Sequence, residues 1–392
     1  MVIMTKLDEL IRTLCPNGVE YKKVKEIYER IKGTPITAGK MKEIENPEGE
    51  VKIFAGGKTI INAQECDIPN ANITRVPAVI VQSRGIIDFI YYDKPFTFKN
   101  EMWAYTSDNV TSLKFLYHVL KNNAQHFKDA SSGMGAMPQI SLTVTEDFIM
   151  PVPPMEVQCE IVRILDNFTL LTAELTAELT ARKKQYEYYR DELLTFDENN
   201  NKVKLMTLGD IGKVSMCKRI MKAETSSTGD VPFYKIGTFG KEPDAYISYD
   251  KYSEYKSKFS YPNKGDILIS ASGTIGRTVV YNGEPAYYQD SNIVWLAHDE
   301  SIVLNKYLYY YYQLQPWNVA TGGTIARLYN DNIAKAKIFI PPLAEQERIV
   351  SILDRFDALC NDISIGLPAE IEARKKQYEY YRDKLLTFKE AS

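Results

Sequence analysis

One eleven-residue block occurs twice in the chain, and it restricts the possible folds more than any other feature. Residues 181–191 read ARKKQYEYYRD, and residues 373–383 read the same letters, 192 positions later (373 against 181) in a chain of 392 residues. That spacing is close to half of the chain. We therefore expect two similar halves, each ending in this block.

A weaker repeat precedes each block. The pattern Pro-x-x-x-Gln-x-x-Ile-Val-x-Ile-Leu-Asp-x-Phe begins at Pro154 and again at Pro342, 188 positions later (342 against 154). After the blocks, Leu-Leu-Thr-Phe at 193–196 recurs at 385–388. The second copy is therefore four residues longer between its two repeated ends.

Both repeated segments have the pattern of long helices. Apolar and aromatic residues recur in alternating steps of three and four, which is typical of a coiled-coil seam and includes Tyr186, Tyr189, Tyr378 and Tyr381. The seam of the second copy has an extra step of four near Gly366 and Pro368. Such a stutter predicts a kink or a short break, with Pro368 near the start of a new helix.

The repeat favours an antiparallel pairing of the two helical segments with each other. The alternative is that they are two unrelated amphipathic helices packed on separate cores.

The first helical segment starts after the Pro153-Pro154 pair, because two consecutive prolines cannot lie inside a helix.

Composition limits the class of protein. The chain is 44% hydrophobic and 25% charged, as expected of a globular protein of two or three domains. We find neither a run of about 20 apolar residues nor a signal peptide, and we expect no membrane partner. The five cysteines are scattered without a CxxC pair, which favours a cytoplasmic location and argues against a zinc site. The net charge of −3 gives no basic signal of its own.

Between the helical segments, each half shows short apolar runs followed by a helical stretch. Expected strands are 51–55, 78–82, 86–92 and 101–105 in the first half, and 231–236, 266–270, 278–281 and 292–296 in the second. Expected helices are 112–127 and 306–314, with a short helix at 7–14. This order predicts an α+β fold. The expected domains are a first globular domain at 1–155, a helical spacer at 156–196, a second globular domain at 197–341 and a second helical region at 342–392.

Loops at matching positions carry polar side chains. Residues 82–85 (QSRG) correspond to 270–273 (SASG), and residues 131–135 correspond to 320–324, with Arg327 just beyond. Glycines allow close approach of a ligand, and amides, hydroxyls and guanidinium groups suit base edges and phosphates. The alternative is that these are ordinary turns. We find no catalytic motif and no metal-ligand pattern, and thus expect no catalytic residue in this chain.

These features together resemble a known family. The segment Cys15-Pro16-Asn17-Gly18, the Pro-x-x-x-Gln pattern and the ARKKQYEYYRD blocks are similar to those of the DNA specificity subunit of type I restriction-modification systems. The segment 272–277 (SGTIGR) with 288–290 (YQD) also resembles a pattern of the family's target recognition domains, whereas the first half has SRGIID at 83–88.

The resemblance implies a fold with two target recognition domains separated by an antiparallel pair of long coiled-coil helices. It also implies that each domain reads one half of a split, asymmetric site on double-stranded DNA. Two modification subunits would supply S-adenosylmethionine and methylate adenine, and restriction subunits would use ATP and Mg. No cofactor is expected on this chain.

We expect direct DNA contacts from polar and charged residues of both halves, with the two lysines on phosphate. These residues are Lys58, Gln82, Arg84, Lys235, Ser272, Thr274, Arg277, Gln289, Thr324 and Arg327. We expect the identical blocks to form two equivalent docking surfaces for the same partner, since tyrosine and arginine are common interface anchors. The residues of these surfaces are Lys183, Lys184, Tyr188 and Arg190 in the first block, and Lys375, Lys376, Tyr380 and Arg382 in the second.

The first long helix contains its own small repeat, Thr-Ala-Glu-Leu at 172–175 and again at 176–179. One interpretation is only a stable helix, since Ala, Glu and Leu are strong helix formers. The sharper hypothesis is that the repeat sets the spacing of the two half-sites. Two other functions stay open on sequence grounds: a protein scaffold with twin globular heads, and an enzyme with an unfamiliar site.

Overall fold

The computed structural model describes residues 2–131, 137–197, 200–319 and 327–391. The chain forms two compact units. Residues up to Thr176, together with those from Glu370 onward, form the first unit, and Ala177–Ala369 form the second. Each unit thus combines a globular part with long helical segments, which the expected domain boundaries had set apart.

The first unit follows the chain from its start. Its strands are β1 (Glu20–Lys23), β2 (Glu29–Lys32), β3 (Val51–Phe54), β4 (Ile60–Ala63), β5 (Ala78–Gln82), β6 (Asp88–Tyr92), β7 (Phe96–Phe98), β8 (Trp103–Thr106) and β9 (Ile149–Val152). Its helices are α1 (Val2–Leu14), α2 (Val24–Ile27), α3 (Ala38–Ile44), α4 (Val110–Asn122), α5 (Ala124–Asp129) and α6 (Leu142–Glu146). The long helix α7 (Met155–Leu194) contributes its residues up to Thr176.

The second unit repeats this order. Its strands are β10 (Lys204–Thr207), β11 (Lys213–Ser215), β12 (Val231–Tyr234), β13 (Tyr246–Ile247), β14 (Ile267–Ser270), β15 (Thr278–Val280), β16 (Tyr287–Tyr288), β17 (Ile293–Ala297) and β18 (Lys337–Ile340). Its helices are α8 (Leu208–Ile211), α9 (Tyr249–Lys258), α10 (Asn305–Tyr312), α11 (Asn330–Ala334) and α12 (Leu343–Asn361). Helix α13 (Leu367–Leu385) then enters the first unit at Glu370.

The sheets of the two units have the same topology. One sheet runs β2–β8–β5–β6 in the first unit and β11–β17–β14–β15 in the second, and it is antiparallel throughout. Another runs β4–β3–β7 and β13–β12–β16, with its last pair parallel in both units. A separate antiparallel pair joins β1 to β9 and β10 to β18. The expected α+β class and the internal repeat are confirmed.

In the first unit, β5 is an inner strand of the four-stranded sheet and is buried on both faces. Val79 and Val81 of β5 belong to a core that also contains Ile161 and Leu165 of α7. Ile80, on the opposite face, packs in a separate core with residues of β7 and β8. Alternate residues of a strand point to opposite faces, so β5 joins the helical core to the outer part of the unit. In the second unit β14 does the same with Ile269 and Leu268.

The Pro-x-x-x-Gln pattern fixes the start of each long helix. Helix α7 begins directly after Pro154, and α12 directly after Pro342. The buried amide Nε2 of Gln158 donates to the carbonyl oxygen of Pro153 at 2.8 Å, and Gln346 donates to Pro341 at the same distance. The glutamine thereby holds the preceding turn against the first helical turns in both units.

In each unit, a tyrosine of the eleven-residue block packs against the phenylalanine at the end of the Pro-x-x-x-Gln pattern. In the first unit Phe168 stacks on Tyr381, with ring centroids 5.6 Å apart. In the second unit Phe356 stacks on Tyr189 at 5.6 Å, and Lys183 lies near Cys360, where it opposes the burial that raises the pKa of the Cys360 thiol. Because residue 189 meets 356 while 183 meets 360, α7 and α12 pack antiparallel in this unit.

The expected break in the second helical segment is present. Helix α12 ends at Asn361, and α13 begins at Leu367 with Pro368 as its second residue. A Cβ atom on Gly366 would lie 2.5 Å from the carbonyl oxygen of Ala358. Only a glycine allows the connection to pass so close to the end of α12.

Candidate nucleic-acid interface

Three loops meet at one end of the globular part of the first unit. They are residues 55–59, 83–85 and 137–140, which we call the first tip. The backbone N–H of Gly57 donates to the carbonyl oxygen of Arg84 at 3.0 Å, and that of Gly85 donates to Pro138 at 2.9 Å. Three segments distant in sequence are therefore fixed together by their backbones.

Glycines make this approach possible. Gly57 and Gly85 have φ values of +73° and +81°, a region that residues with a Cβ atom rarely adopt. A Cβ on Gly85 would also lie 3.3 Å from the backbone nitrogen of Gly57. The side chain of Gln82 adds to the same junction, since its buried amide donates to the carbonyl oxygen of Gly57 at 3.1 Å. Gln82 thus holds the loop 55–59 of the first tip through its side chain.

An open cleft of about 530 Å³ borders the first tip, and several positively charged side chains line it. Its charged lining residues are Lys42, Lys58, Arg84, Lys99, Glu45 and Glu101. Lys99 forms an ion pair with Glu101 at 2.8 Å. Within the described residues, Lys42, Lys58 and Arg84 form no ion pair, and all three are exposed. The cleft therefore presents uncompensated positive charge, as a phosphate-binding surface requires.

Equivalent loops meet in the second unit, and we call residues 235–240, 271–277, 289–292 and 327–329 the second tip. Ser272 forms an isolated antiparallel bridge with Arg327. The N–H of Leu328 donates to the carbonyl oxygen of Ala271 at 2.9 Å, and the N–H of Ala271 donates to Asn292 at 2.7 Å. The same meeting of loops thus occurs in both units.

Most polar side chains of the second tip have partners within it. Gln289 Oε1 accepts from the N–H of Ile236 at 3.0 Å, and Arg277 Nη1 donates to the carbonyl oxygen of Phe239 at 2.8 Å. These two side chains hold the loop 235–240. Lys235 pairs with Asp244 at 2.8 Å.

The other residues of the second tip that were predicted to contact DNA include accessible side chains. Arg327 Nη2 donates to the carbonyl oxygen of Ser291 at 3.0 Å, and its guanidinium carbon lies 5.9 Å from the ring centroid of the exposed Tyr329. Ser272 Oγ donates to Asn292 Oδ1 at 2.8 Å. Thr274 is exposed, and Thr324 lies outside the described residues.

The structure also brings in residues that the sequence analysis did not select. Lys42 on α3 and Lys99 directly after β7 line the cleft of the first tip, although neither segment carries a loop motif. Gln139 forms an isolated bridge with Arg84. One signal could have found it: Gln139 stands 188 positions before Arg327, the spacing that also relates the Pro-x-x-x-Gln patterns.

The expected docking residues divide into two groups. The four lysines, Lys183, Lys184, Lys375 and Lys376, are exposed. Tyr188 and Tyr380 are 61% and 63% exposed. They therefore form accessible surfaces of the same composition in both units.

The two block arginines lie closer to their own units. Arg382 Nε donates to Asn122 Oδ1 at 2.6 Å at the end of α4. Arg190 lies 3.5 Å from Gln313 Oε1 just after α10. Both guanidinium groups thus hold the block against the globular part of the unit.

An aspartate fastens each globular helix to a repeated long helix. Asp166 accepts from Lys114 Nζ at 2.6 Å and pairs with His118 Nε2 at 2.9 Å. In the second unit, Asp354 accepts from Lys306 Nζ at 2.8 Å and from the hydroxyl of Tyr310. Burial alone would raise the pKa of Asp166, but the hydrogen bonds from His118 and Lys114 outweigh it and hold that pKa below its usual value.

The described parts of the chain contain no group of three or more His, Cys, Asp or Glu residues placed to hold a metal ion. Within those same ranges, no helix has the length and apolar character needed to cross a membrane.

Comparison with known proteins gives matches over most of the chain. A family model described as type I restriction modification DNA specificity domain matches residues 16–182 and again residues 200–373. A putative type I restriction enzyme specificity subunit of Haemophilus influenzae is 57% identical over 283 residues, covering 70% of this chain and 72% of that protein. The EcoR124I/EcoR124II specificity subunit of Escherichia coli is 35% identical, covering 86% and 87%.

A solved structure has the same fold. The S subunit of a type I restriction-modification system from M. genitalium aligns with a TM-score of 0.60 at 16% identity, covering 94% of this chain and 96% of that one. The matched region includes both units.

Proposed function

The chain belongs to the family of type I restriction enzyme specificity subunits, and on that premise we propose that each tip reads one half of a split, asymmetric DNA site. One observation carries the proposal. The bridge between Arg84 and Gln139 recurs as the bridge between Ser272 and Arg327, with both strands displaced by 188 positions. Two equivalent frames carrying different side chains suit two half-sites of different sequence.

The chemistry of the tips supports a division of labour between phosphate and base contacts. Lys42 and Lys58 have no ion pair among the described residues and line a cleft with Arg84. Phosphate contacts position a protein on DNA, whereas guanidinium and amide groups read base edges. We assign Lys58 and Lys235 to phosphate, and the base edges to Arg84, Ser272, Thr274 and Arg327. Gln82, Arg277 and Gln289 act by holding the loops.

The same proposal assigns catalysis to partner subunits. Two modification subunits dock on the two identical blocks through their exposed lysines and tyrosines. They bring S-adenosylmethionine, and restriction subunits bring ATP and Mg. The chain itself then performs no chemistry: it selects DNA in the cytoplasm and assembles the enzymes.

The test is single-molecule methylome sequencing of the source strain, of a strain lacking this gene, and of that strain with the gene restored. We expect methyladenine to disappear at one split motif with a fixed gap and to return on complementation. An unchanged methylome, with the modification subunit shown to be expressed, would overturn the proposal and favour a protein scaffold.

A further inference from the structure

Arg84 and Gln139 face each other across the first tip. The N–H of Gly85 donates to the carbonyl oxygen of Pro138 at 2.9 Å, and the N–H of Ile140 donates to that of Ser83 at 3.0 Å. These two bonds lie on either side of the pair itself. Arg84 and Gln139 are therefore a non-hydrogen-bonded antiparallel pair, the kind in which opposite side chains lie closest together.

The register determines the direction of both side chains. Residues opposite each other in an antiparallel pair point to the same face, with Cβ atoms roughly 5 Å apart. Both Arg84 and Gln139 are exposed. The first tip thus presents a guanidinium and a carboxamide side by side on one accessible face.

The second tip has the same frame with different side chains. Leu328 N–H donates to the carbonyl oxygen of Ala271, as Ile140 donates to that of Ser83. Ser272 then stands where the first tip has Arg84, and Arg327 where it has Gln139. The backbone is kept while both side chains differ, as expected at positions that select between bases.

The frame is rigid where the pair is held. Gly57 N–H donates to the carbonyl oxygen of Arg84, and the buried Gln82 amide binds Gly57. The neighbouring Lys58 and Lys42 supply charge for the DNA backbone. A side chain on a fixed loop beside phosphate-binding groups is placed to meet a base edge repeatedly in one geometry.

We propose that Gln139 is a specificity-determining residue of the first half-site, reading an A·T pair next to the base pair read by Arg84. The inference rests on the proposed function, since it requires the first tip to contact DNA. A carboxamide makes two hydrogen bonds to adenine N6 and N7, and a guanidinium makes two to guanine O6 and N7. The structure assigns these two roles to adjacent positions of one bridge.

The experiment uses the chain in complex with its modification subunits, with duplexes carrying the motif found by methylome sequencing. Each base pair of the first half is varied in turn, and initial methylation rates are compared for wild type, Gln139→Ala and Gln139→Arg. For wild type we expect discrimination at one A·T pair on the order of 10- to 100-fold. Gln139→Ala loses that discrimination, and Gln139→Arg moves the preference at that pair towards G·C.

Two controls separate the possible failures. Gln125→Ala changes an exposed amide on α5 of the same unit, where it binds Asp129, and it should leave every preference unchanged. The second half-site should be read identically by all variants. Absence of any motif for the wild-type complex would refute the proposed function. A wild-type motif that Gln139→Ala and Gln139→Arg leave unchanged would refute the role of Gln139 alone.

Discussion

Asp166 and Asp354 occupy equivalent positions in the two units. Each joins a long helix to a globular helix, but through different partners. Both lie on a repeated long helix and accept a hydrogen bond from a lysine of the globular helix beside it. The second partner is His118 in one unit and Tyr310 in the other. The carboxylate is the constant feature, because either a ring nitrogen or a hydroxyl can complete its hydrogen bonding.

The charge on Asp166 should make the first unit sensitive to acid. Its pKa is held below the usual value, so its contribution to stability is complete above a pH of about 4 and is lost as the pH falls through the folded-state pKa. We expect Asp166→Asn to lower the free energy of unfolding by about 1 kcal/mol near neutral pH, after allowance for its partial exposure. Urea unfolding at several pH values measures this.

The pH dependence is the decisive part of that measurement. The difference between wild type and Asp166→Asn should shrink below pH about 4, where the carboxylate of the unfolded chain becomes protonated, and should be lost once the pH is below the lowered folded-state pKa. Asp108→Asn, which changes an exposed aspartate without an ion pair among the described residues, should show no such trend. A difference that stays constant down to pH 3 would contradict the role of the charge.

At this scale, the sequence indicated positively charged residues that lie together, but not the residues that surround them. Lys58 and Arg84 were both selected from the sequence, and both line one cleft. Gln139 was not selected because it pairs with Arg84 across more than fifty residues, and hydrophobic periodicity carries no information on such pairing. Gln82 and Gln289 were expected on DNA because of their residue type, but burial and backbone partners are visible only in three dimensions.

At the scale of elements, prolines and buried apolar runs were the most informative signals. The expected strand 78–82 matches β5 at both ends, because a strand buried on both faces is continuously apolar. The expected helix 112–127 is divided at Asn123 into α4 and α5. Strand β7 was not expected, since its three residues pair in parallel with β3, more than forty residues away.

The Thr-Ala-Glu-Leu repeat lies in a largely exposed part of α7. Among residues 172–179, Thr172, Leu175 and Leu179 are half-buried and the others are exposed. The hydroxyls of Thr172 and Thr176 bind carbonyl oxygens of their own helix, at Phe168 and Thr172. A change of length here removes few packing contacts and leaves the helix intact.

We therefore expect the repeat to act on half-site spacing. Removing one four-residue unit shortens the helix by about 6 Å and changes its phase by about 40°. One base pair of DNA corresponds to roughly 3.4 Å and 35°. Because the phase change of one unit matches that of one base pair, deletion or insertion of one unit should change the permitted gap by about one base pair while both half-sequences stay the same.

Methylome sequencing of strains carrying each variant reads out the gap directly. As a control of equal size, four alanines inserted in place of an added Thr-Ala-Glu-Leu unit should have the same effect, because the rise per residue is unchanged. An unaltered gap combined with altered half-sequences would exclude the spacing role.

On the scale of the whole molecule, each unit contains one of the two identical blocks. The first unit includes the block at 373–383 and the second includes the block at 181–191. The sequence predicted helical pairing, and the stacked pairs Phe168–Tyr381 and Phe356–Tyr189 confirm it. Because the blocks are identical, their letters alone cannot tell which one completes which unit.

Two equivalent blocks should give independent docking of two partners. We expect Tyr188→Ala to reduce the complex with modification subunits from two bound copies to one, and Tyr380→Ala to do the same. The double variant should bind neither, since exposed tyrosines are frequent interface anchors. Native mass spectrometry of the purified complexes counts the copies.

A tyrosine elsewhere provides the comparison for that experiment. Tyr249 on α9 is 56% exposed, and Tyr249→Ala should retain both copies. Retention of two copies by the double variant Tyr188→Ala/Tyr380→Ala would exclude these side chains as anchors and direct attention to the block lysines.

The outer cores have a consequence for inheritance. Among the described residues, the clusters around Ile53, Ile80 and Phe233 contain no side chain of α7, α12 or α13. Mutations within those clusters, or of the exposed side chains of the tips, therefore change no side chain that packs against the repeated helices. Genetic exchange of an outer cluster with the accessible side chains of its tip can therefore change what one unit presents to DNA at a single step, while the packing of the repeated helices is kept.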